Sequence, residues 1–523
     1  HPQVTALDTL LKNDTSRNIF LKGLNGSGPA MTIASLFTKG RGSYVCVLND
    51  QEEAGYFYHD LMQLTASNEV YFFPSAYRRA IKYGHVDPAN EILRTDVLSR
   101  LQDPDASFVI VTYPDALAER VVAREVLKEN TLKISVGEKL DNMFVSDVLD
   151  EYGFEQVDYV YEPGQYALRG SILDVFSFSN EFPYRIDFFG DEVETIRTFD
   201  VETQLSKEKL DSIYIVPEMS KNAMDSTSLL GSLPRNTCIA ARDLAWCKER
   251  IGSVWNDDPV VADEESFADI DQMRKKLVRG EDFLREVLDF RRIHFGARPM
   301  GTADATIHFS TQTQPIYHKN FDRVSESFHK YLDEGYALYI LSDQEKQANR
   351  IRMIFEDRGD NIPFTAVNRT IHEGFADDTL RICFFTDHQL FDRFHKFNLK
   401  SDKARSGKIT LSLKELNQFS QGDYIVHIDH GVGQFGGLVR TEVNGKMQEA
   451  IKLIYQNNDI IFVSIHSLHK LSKYKGKESG EPPKLSKLGT GAWEKMKERT
   501  KAKVKDIARD LILLYSKRKQ ETG

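Results

Sequence analysis

The chain has 523 residues, too many for one hydrophobic core, and roughly three to five domains are expected. With 41% hydrophobic and 28% charged residues it is globular in composition, and no apolar run approaches the roughly 20 residues of a membrane span. A net charge of −10 argues against a chain devoted to gripping DNA and favours protein partners.

The four cysteines (Cys46, Cys238, Cys247 and Cys383) are scattered and form no CxxC pair. That pattern fits a reducing cytoplasm and offers no zinc site. No signal-peptide pattern opens the chain, and it begins at His1, so a processed or excised chain is expected.

Residues 1–120 read as α/β. Asn18–Lys22 is a strand, Gly23–Ala30 a Gly-rich loop, Met31–Phe37 a helix and Tyr44–Leu48 a second strand, the context of a phosphate-binding loop. Gly23, Gly26 and Gly28 supply the spacing, but Pro29 stands where a lysine should reach the phosphates, and Ala30 where a hydroxyl should bind Mg²⁺. Proline is tolerated at a first helical position, so the shape can persist without the chemistry. Asp115, after the buried strand Phe108–Thr112, comes too late for a metal-binding acidic pair. The aromatic and cationic run Tyr71–His85 could stack on nucleic acid. A loop over the sheet edge is the simpler reading, feeding a helix over Asn90–Arg100.

Residues 121–211 read as a small α+β domain inserted into the first. A short helix is predicted over Ser146–Tyr152 with Ser146 as N-cap. Gly190-Asp191 is a two-residue hairpin loop that pairs Phe189 with Glu192, Phe188 with Val193, Asp187 with Glu194, Ile186 with Thr195 and Arg185 with Ile196. Alternation puts Ile186, Phe188, Val193 and Thr195 on a core face. Arg185, Asp187, Phe189, Glu192, Glu194 and Ile196 fall on the other, with Asp187 placed to hold the Arg185 guanidinium. An aromatic beside an arginine is the usual anchor pair of a protein interface, although a lone exposed Phe can also pack under a loop.

Tyr166–Phe176, Pro183–Glu192, Ile196–Asp200 and Thr203-Gln204 together resemble the signature shared by the excision-repair protein UvrB and the transcription-repair coupling factors (the Mfd family). The resemblance implies a UvrA-binding domain whose contacts fall on Arg169, Arg185 and Phe189. It also separates the two families, because UvrB keeps an intact phosphate loop and the coupling factors carry a degenerate one.

Residues 212–330 return to α/β. Ser212–Pro217 is predicted as a strand rejoining the parent sheet, Thr237–Ala241 and Thr306–Ser310 as strands, and Asp269–Phe290 as a long amphipathic helix. Residues 331–412 read as an α/β spacer, with strands at Tyr336–Leu341 and Leu380–Phe385 and a helix at Gln344–Arg358. A solvated linker follows at Lys400–Lys408.

Residues 413–487 change to short strands: Tyr424–Ile428, Phe435–Arg440, Ala450–Tyr455 and Ile460–Ile465. A Gly-rich turn lies at His430–Gly433 and a hairpin turn at Asn444-Gly445. His427, Asp429 and His430 alternate in direction and converge poorly on a metal ion. Gly422–Phe435 with Ser467–Leu471 resembles the RNA-polymerase-interacting domain shared by the coupling factors and CarD-type regulators. That resemblance implies a small Tudor/SH3-like barrel binding the polymerase β subunit by edge-strand pairing, with contacts at Thr441 and Phe462 flanked by Arg440 and Glu442. Residues 488–523 read as a linker helix.

The expected fold is therefore multidomain α/β and α+β: a UvrB-like module (1–120 and 212–330) with a degenerate phosphate loop, the inserted domain, the spacer, the barrel and the helix. The order resembles the N-terminal half of a coupling factor. The resemblance implies UvrA and polymerase β as partners, no catalytic residue, no metal and no cofactor in this stretch. ATP, Mg²⁺ and most DNA contact would belong to a motor that is absent here, since neither GxxxxGK[ST] nor a DExx box is present. The alternatives are a UvrB-type ATPase and damage-binding helicase, which Pro29 opposes, and a CarD-type regulator, which leaves the UvrB-like module unexplained.

Overall fold

A computed structural model describes the chain except residues 14–15, 41, 66, 68, 77–87, 104, 158–159, 161, 202–204, 218–225, 257–273, 394, 396, 398, 400–418, 444–445, 465–469, 475–482, 490, 494, 498 and 500–523. It divides into two compact units, His1–Gly407 and Lys408–Gly523.

The first unit is built on a seven-stranded sheet whose neighbouring strands all run parallel. Its order is Ala305–His308, Asn18–Lys22, Arg291–His294, Cys238–Ala241, Tyr44–Val47, Val109–Thr112 and Val70–Phe72. Strands such as Tyr44–Val47 and Val109–Thr112 are apolar and buried along their whole length, as a parallel sheet covered on both faces requires. The chain leaves this sheet after Thr112 and returns at Cys238, so the intervening segment is an insertion.

That insertion forms a six-stranded sheet ordered Ser206–Leu210, Glu192–Phe199, Tyr184–Phe189, Ile172–Phe176, Gln165–Arg169 and Glu155–Gln156. Its own core gathers Tyr166, Leu173, Val175, Ile186, Phe188, Val193 and Ile196 with Val145 and Leu149 of a helix. That helix is Asn142–Glu151, a turn earlier than the sequence suggests. Asp141 caps it by accepting the Met143 N–H at 2.9 Å, whereas Ser146 donates back to the Asn142 carbonyl inside the helix. Ser212–Ile215 does not rejoin the parent sheet. It pairs antiparallel with Leu132–Ser135 in a separate ribbon.

The long helix expected over Asp269–Phe290 is also corrected. Residues up to 273 lie outside the described set, and the helix proper is Gly280–Leu288. Residues 274–275 are helical, but the helix is interrupted before Gly280, where Leu277 bridges Glu119 and the Val278 N–H donates to the Ala118 carbonyl at 2.8 Å.

A five-stranded mixed sheet follows, ordered Thr311–Thr313, Phe375–Asp377, Ile382–Thr386, Ala337–Leu341 and Thr365–Val367. The helices Phe321–Asp333 and Glu345–Asp357 share its core through Val324, Phe328, Ile351 and Phe355. This layer takes in Thr311, so the sequence boundary at 331 falls inside its first helix.

The second unit holds a five-stranded antiparallel sheet ordered Ile460–Ser464, Lys446–Ile454, Gly431–Val443, Tyr424–His427 and Leu471–Lys473. The turn Asn444-Gly445 lies outside the described residues, but Val443 pairs with Lys446 on either side of it. The predicted C-terminal helix is described only in its first turns. There the Trp493 indole N–H and the Lys497 ammonium both donate to the Ile428 carbonyl, at 2.9 and 3.1 Å, and tie the segment to the sheet.

Candidate protein-docking sites

The Gly23–Gly28 loop has the backbone that its glycines suggest. Gly23 and Gly26 sit at φ +89° and +53°, and Gly28 opens the helix Gly28–Gly40 with Pro29 in its first turn. The interior of the loop is filled by the chain's own segment His372–Phe375. The Ser27 N–H donates to the Glu373 carbonyl at 3.1 Å, and the Glu373 N–H returns a bond to the Ser27 hydroxyl at 3.0 Å. A Cβ on Gly26 would lie 2.9 Å from the Gly374 carbonyl oxygen.

Beneath this contact Asp60, fully buried, accepts from the Ser27 hydroxyl at 2.5 Å and from the His372 N–H at 2.7 Å. Burial pushes its carboxyl up to about 7. Donors that a phosphate would need are spent on protein, and carbonyl oxygens occupy the space. Asp115 pairs instead with Arg250 at 2.8 Å.

The inserted sheet presents the second site. The hairpin keeps the predicted pairs Phe189–Glu192 and Phe188–Val193, then slips by one residue, so that Asp187 faces Thr195, Ile186 faces Ile196 and Arg185 faces Arg197. A bulge at Glu194 accounts for the slip. It turns Ile196 into the core and Thr195 out, which the hydrophobic effect favours over the regular register.

The face opposite that core, where Ala167 and Phe199 pack with Ile92 and the hairpin tip is exposed, then reads in two cross-strand rows. One is Arg197, Arg185, Asp174 and Ala167; the next is Thr195, Asp187, Ile172 and Arg169. Arg185 is held by Asp174 through two bonds of 2.7 and 2.8 Å, and Arg169 bonds the same carboxylate diagonally. Asp187, expected to hold Arg185, bonds Arg197 and Thr195 instead. The Arg185 guanidinium also lies 4.3 Å over the Phe199 ring. Its charge is reinforced chiefly by the hydrogen bond to Asp174.

Arg169 and Arg185 thus meet on one buried carboxylate. Phe189 lies on the same strand face at the hairpin tip and is 79% exposed, the most exposed large hydrophobic side chain among the described residues. Arg197 was missed by sequence reasoning. The signal was present: a charged residue stands where alternation would bury it, next to an isoleucine where alternation would expose one.

In the second unit Phe462 stands 51% exposed on the edge strand Ile460–Ser464, paired with Lys452 on its inner side. Thr441 and Glu442 lie in the strand Gly431–Val443, opposite Gln448 and Met447, and exposed Arg440 lies opposite Glu449. The Lys446–Ile454 strand separates Phe462 from the other three. The His427 Nδ1 accepts the Asp429 N–H at 3.0 Å, and burial pushes that imidazole down to about 3. The ring is committed to the turn.

Two family models match the chain: the UvrB interaction domain over residues 132–220 and the CarD-like/TRCF RID domain over residues 419–475. Among curated proteins, the transcription-repair-coupling factor of Bacillus subtilis (strain 168) is 25% identical over 582 residues, covering 96% of this chain and 49% of its own length. That of Staphylococcus aureus (strain bovine RF122 / ET3-1) is 25% identical over 606 residues, covering 99% and 51%. The chain is related to the transcription-repair-coupling factors. It spans about half the length of those it matches, and the matched share is their N-terminal half. The hairpin face falls within the first matched domain, and Arg440, Thr441, Glu442 and Phe462 within the second.

Proposed function

We propose that this chain is the docking half of a transcription-coupled repair factor. Its inserted domain recruits UvrA, and its C-terminal sheet holds the β subunit of RNA polymerase. An ATP-driven DNA translocase in the remainder of the protein displaces the stalled polymerase, in the cytoplasm. The observation that carries this reading is the hairpin face: Arg169 and Arg185 fixed on one buried carboxylate, on the same face as a Phe189 that no described residue of the domain covers. Such a fixed cation pair with an exposed aromatic suits an apolar pocket rimmed by carboxylates.

In the proposed organisation the parallel-sheet module is UvrB-like, and the inserted domain, which keeps Ser212–Ile215 through its pairing with Leu132–Ser135, binds UvrA. The mixed-sheet layer that starts at Thr311 forms the spacer, 413–487 the polymerase-binding domain and 488–523 the link to the motor. The direct test is titration of the chain against purified UvrA and purified polymerase β subunit. Binding of both is expected; binding of neither would end the reading.

In this reading the Gly23–Ala30 loop holds no nucleotide. Restoring the two missing side chains should not restore binding, because the Glu373 and Gly374 carbonyls stand in the loop. Calorimetry of the Pro29→Lys/Ala30→Ser chain with Mg·ATP should give no heat of binding. Micromolar binding would mean that the loop opens readily and would return the UvrB-type ATPase to consideration.

Polymerase binding is assigned to the open edges of the C-terminal sheet. Phe462→Ala removes an exposed aromatic from the edge strand and should weaken β-subunit binding about tenfold. Thr441→Arg should weaken it as well. Wild-type affinity in both variants would place the contact elsewhere on the sheet.

A further inference from the structure

We infer that the first turn of the helix Asn142–Glu151 is a second anchor for the partner that the hairpin face binds, with Met143 and Phe144 as the contact side chains. The inference rests on the UvrA reading above and adds residues that neither the hairpin pattern nor the matched family description assigns. Six of the fourteen exposed large hydrophobic side chains among the described residues lie in the interaction domain, Met143 at 62% and Phe144 at 54%. The fold does not use these two. The same helix sends Val145 and Leu149 into the core, both fully buried, so polar residues at 143 and 144 would serve the helix equally well.

Three contacts make this turn continuous with Phe189. The Asn142 side-chain amide donates to the Gly170 carbonyl at 3.3 Å, in the turn that follows Arg169. The Phe188 N–H donates to the Ser171 carbonyl at 2.9 Å, in that same turn. The Leu140 N–H donates to the Asp191 carbonyl at 2.7 Å, at the tip of the Phe189 hairpin. The chain from Leu140 to Asn142 therefore runs across both hairpin tips and delivers Met143 and Phe144 to the end of the sheet where Phe189 stands. A partner pocket that takes Phe189 meets this turn at its margin. A flexible thioether and a second aromatic there suit an apolar shelf beside the carboxylate-rimmed pocket.

The test is UvrA affinity of the full chain carrying Met143→Ser/Phe144→Ser, measured by calorimetry, with Leu205→Ser as control. Leu205 is 69% exposed in the same domain, beside the edge strand Ser206–Leu210 and at the opposite end of the sheet from Phe189. The double variant should bind UvrA about tenfold more weakly with an unchanged melting temperature, and the control should bind like wild type. If the double variant matches wild type while Phe189→Ala is impaired, the second anchor is wrong and the hairpin reading stands. If Leu205→Ser weakens binding as much as the double variant, the effect is general surface polarity and the inference fails. If wild-type chain does not bind UvrA, both fall together.

Discussion

Phe189→Ala in the full chain should weaken UvrA binding about thirtyfold, the usual cost of losing an interface anchor of roughly 2 kcal/mol. It is the cleanest variant on the face, because a side chain 79% exposed contributes almost nothing to the core and its removal should leave the melting temperature alone. Arg185→Ala should be at least as damaging but less simple to read. That side chain is mostly covered, and its loss leaves Asp174 with Arg169 only. Arg185→Lys should also weaken binding, since an ammonium cannot reproduce the two-bond fork on Asp174. Ile186→Ala opens a cavity on the opposite face and should lower stability while leaving the contact residues chemically intact. Wild-type UvrA affinity in folded Phe189→Ala and Arg185→Ala chains would show that the face has another purpose.

Asp174→Ala should be the most destabilising substitution on this surface. The carboxylate is fully buried and anchors both Arg169 and Arg185, so truncation removes the two-bond fork that holds a largely covered guanidinium. Breaking a buried pair costs about 3–5 kcal/mol. The lower end applies here, because Arg185 keeps some solvent access and its stack on Phe199. Several domains unfold in one chain, so a single melting temperature is a blunt readout. Amide exchange of Ile172–Phe176 and Tyr184–Phe189 should accelerate while the parallel sheet stays protected. Unchanged exchange in those strands would mean that the arginines repair themselves with solvent.

The parts of the fold most legible in the sequence were those with strong local patterns. The strands expected at Asn18–Lys22, Tyr44–Leu48 and Phe108–Thr112 are found within a residue of those bounds, and the Gly190-Asp191 loop set the hairpin tip correctly. What escaped was decided by long-range competition. The bulge at Glu194 exists because the core takes Ile196 in preference to Thr195, and local alternation cannot register that choice. The same slip exchanged the partners of Asp187 and hid Arg197. Asp174 could not be found as the arginine holder, because it lies on a neighbouring strand that becomes adjacent only once the sheet has formed. The break before Gly280 and the pairing of Ser212–Ile215 with Leu132–Ser135 likewise depend on partners more than 70 residues away in sequence. The filling of the Gly23–Gly28 loop comes from a segment about 350 residues downstream, for which the loop's own residues carry no sign.

If the Gly23–Gly28 loop stays closed on His372–Phe375, as proposed, it gives no response that separates ATP from ADP. Within the coupling-factor reading, the first unit then has no clock at Ser27 and Asp60, because Glu373 and Gly374 occupy the position where a phosphate would come and go. The Ser27–Glu373 contact serves as a rivet between the parallel sheet and the mixed sheet. If the Phe189 face recruits UvrA as proposed, the timing of that recruitment is then set from outside this loop, by uncovering the face rather than by reshaping it.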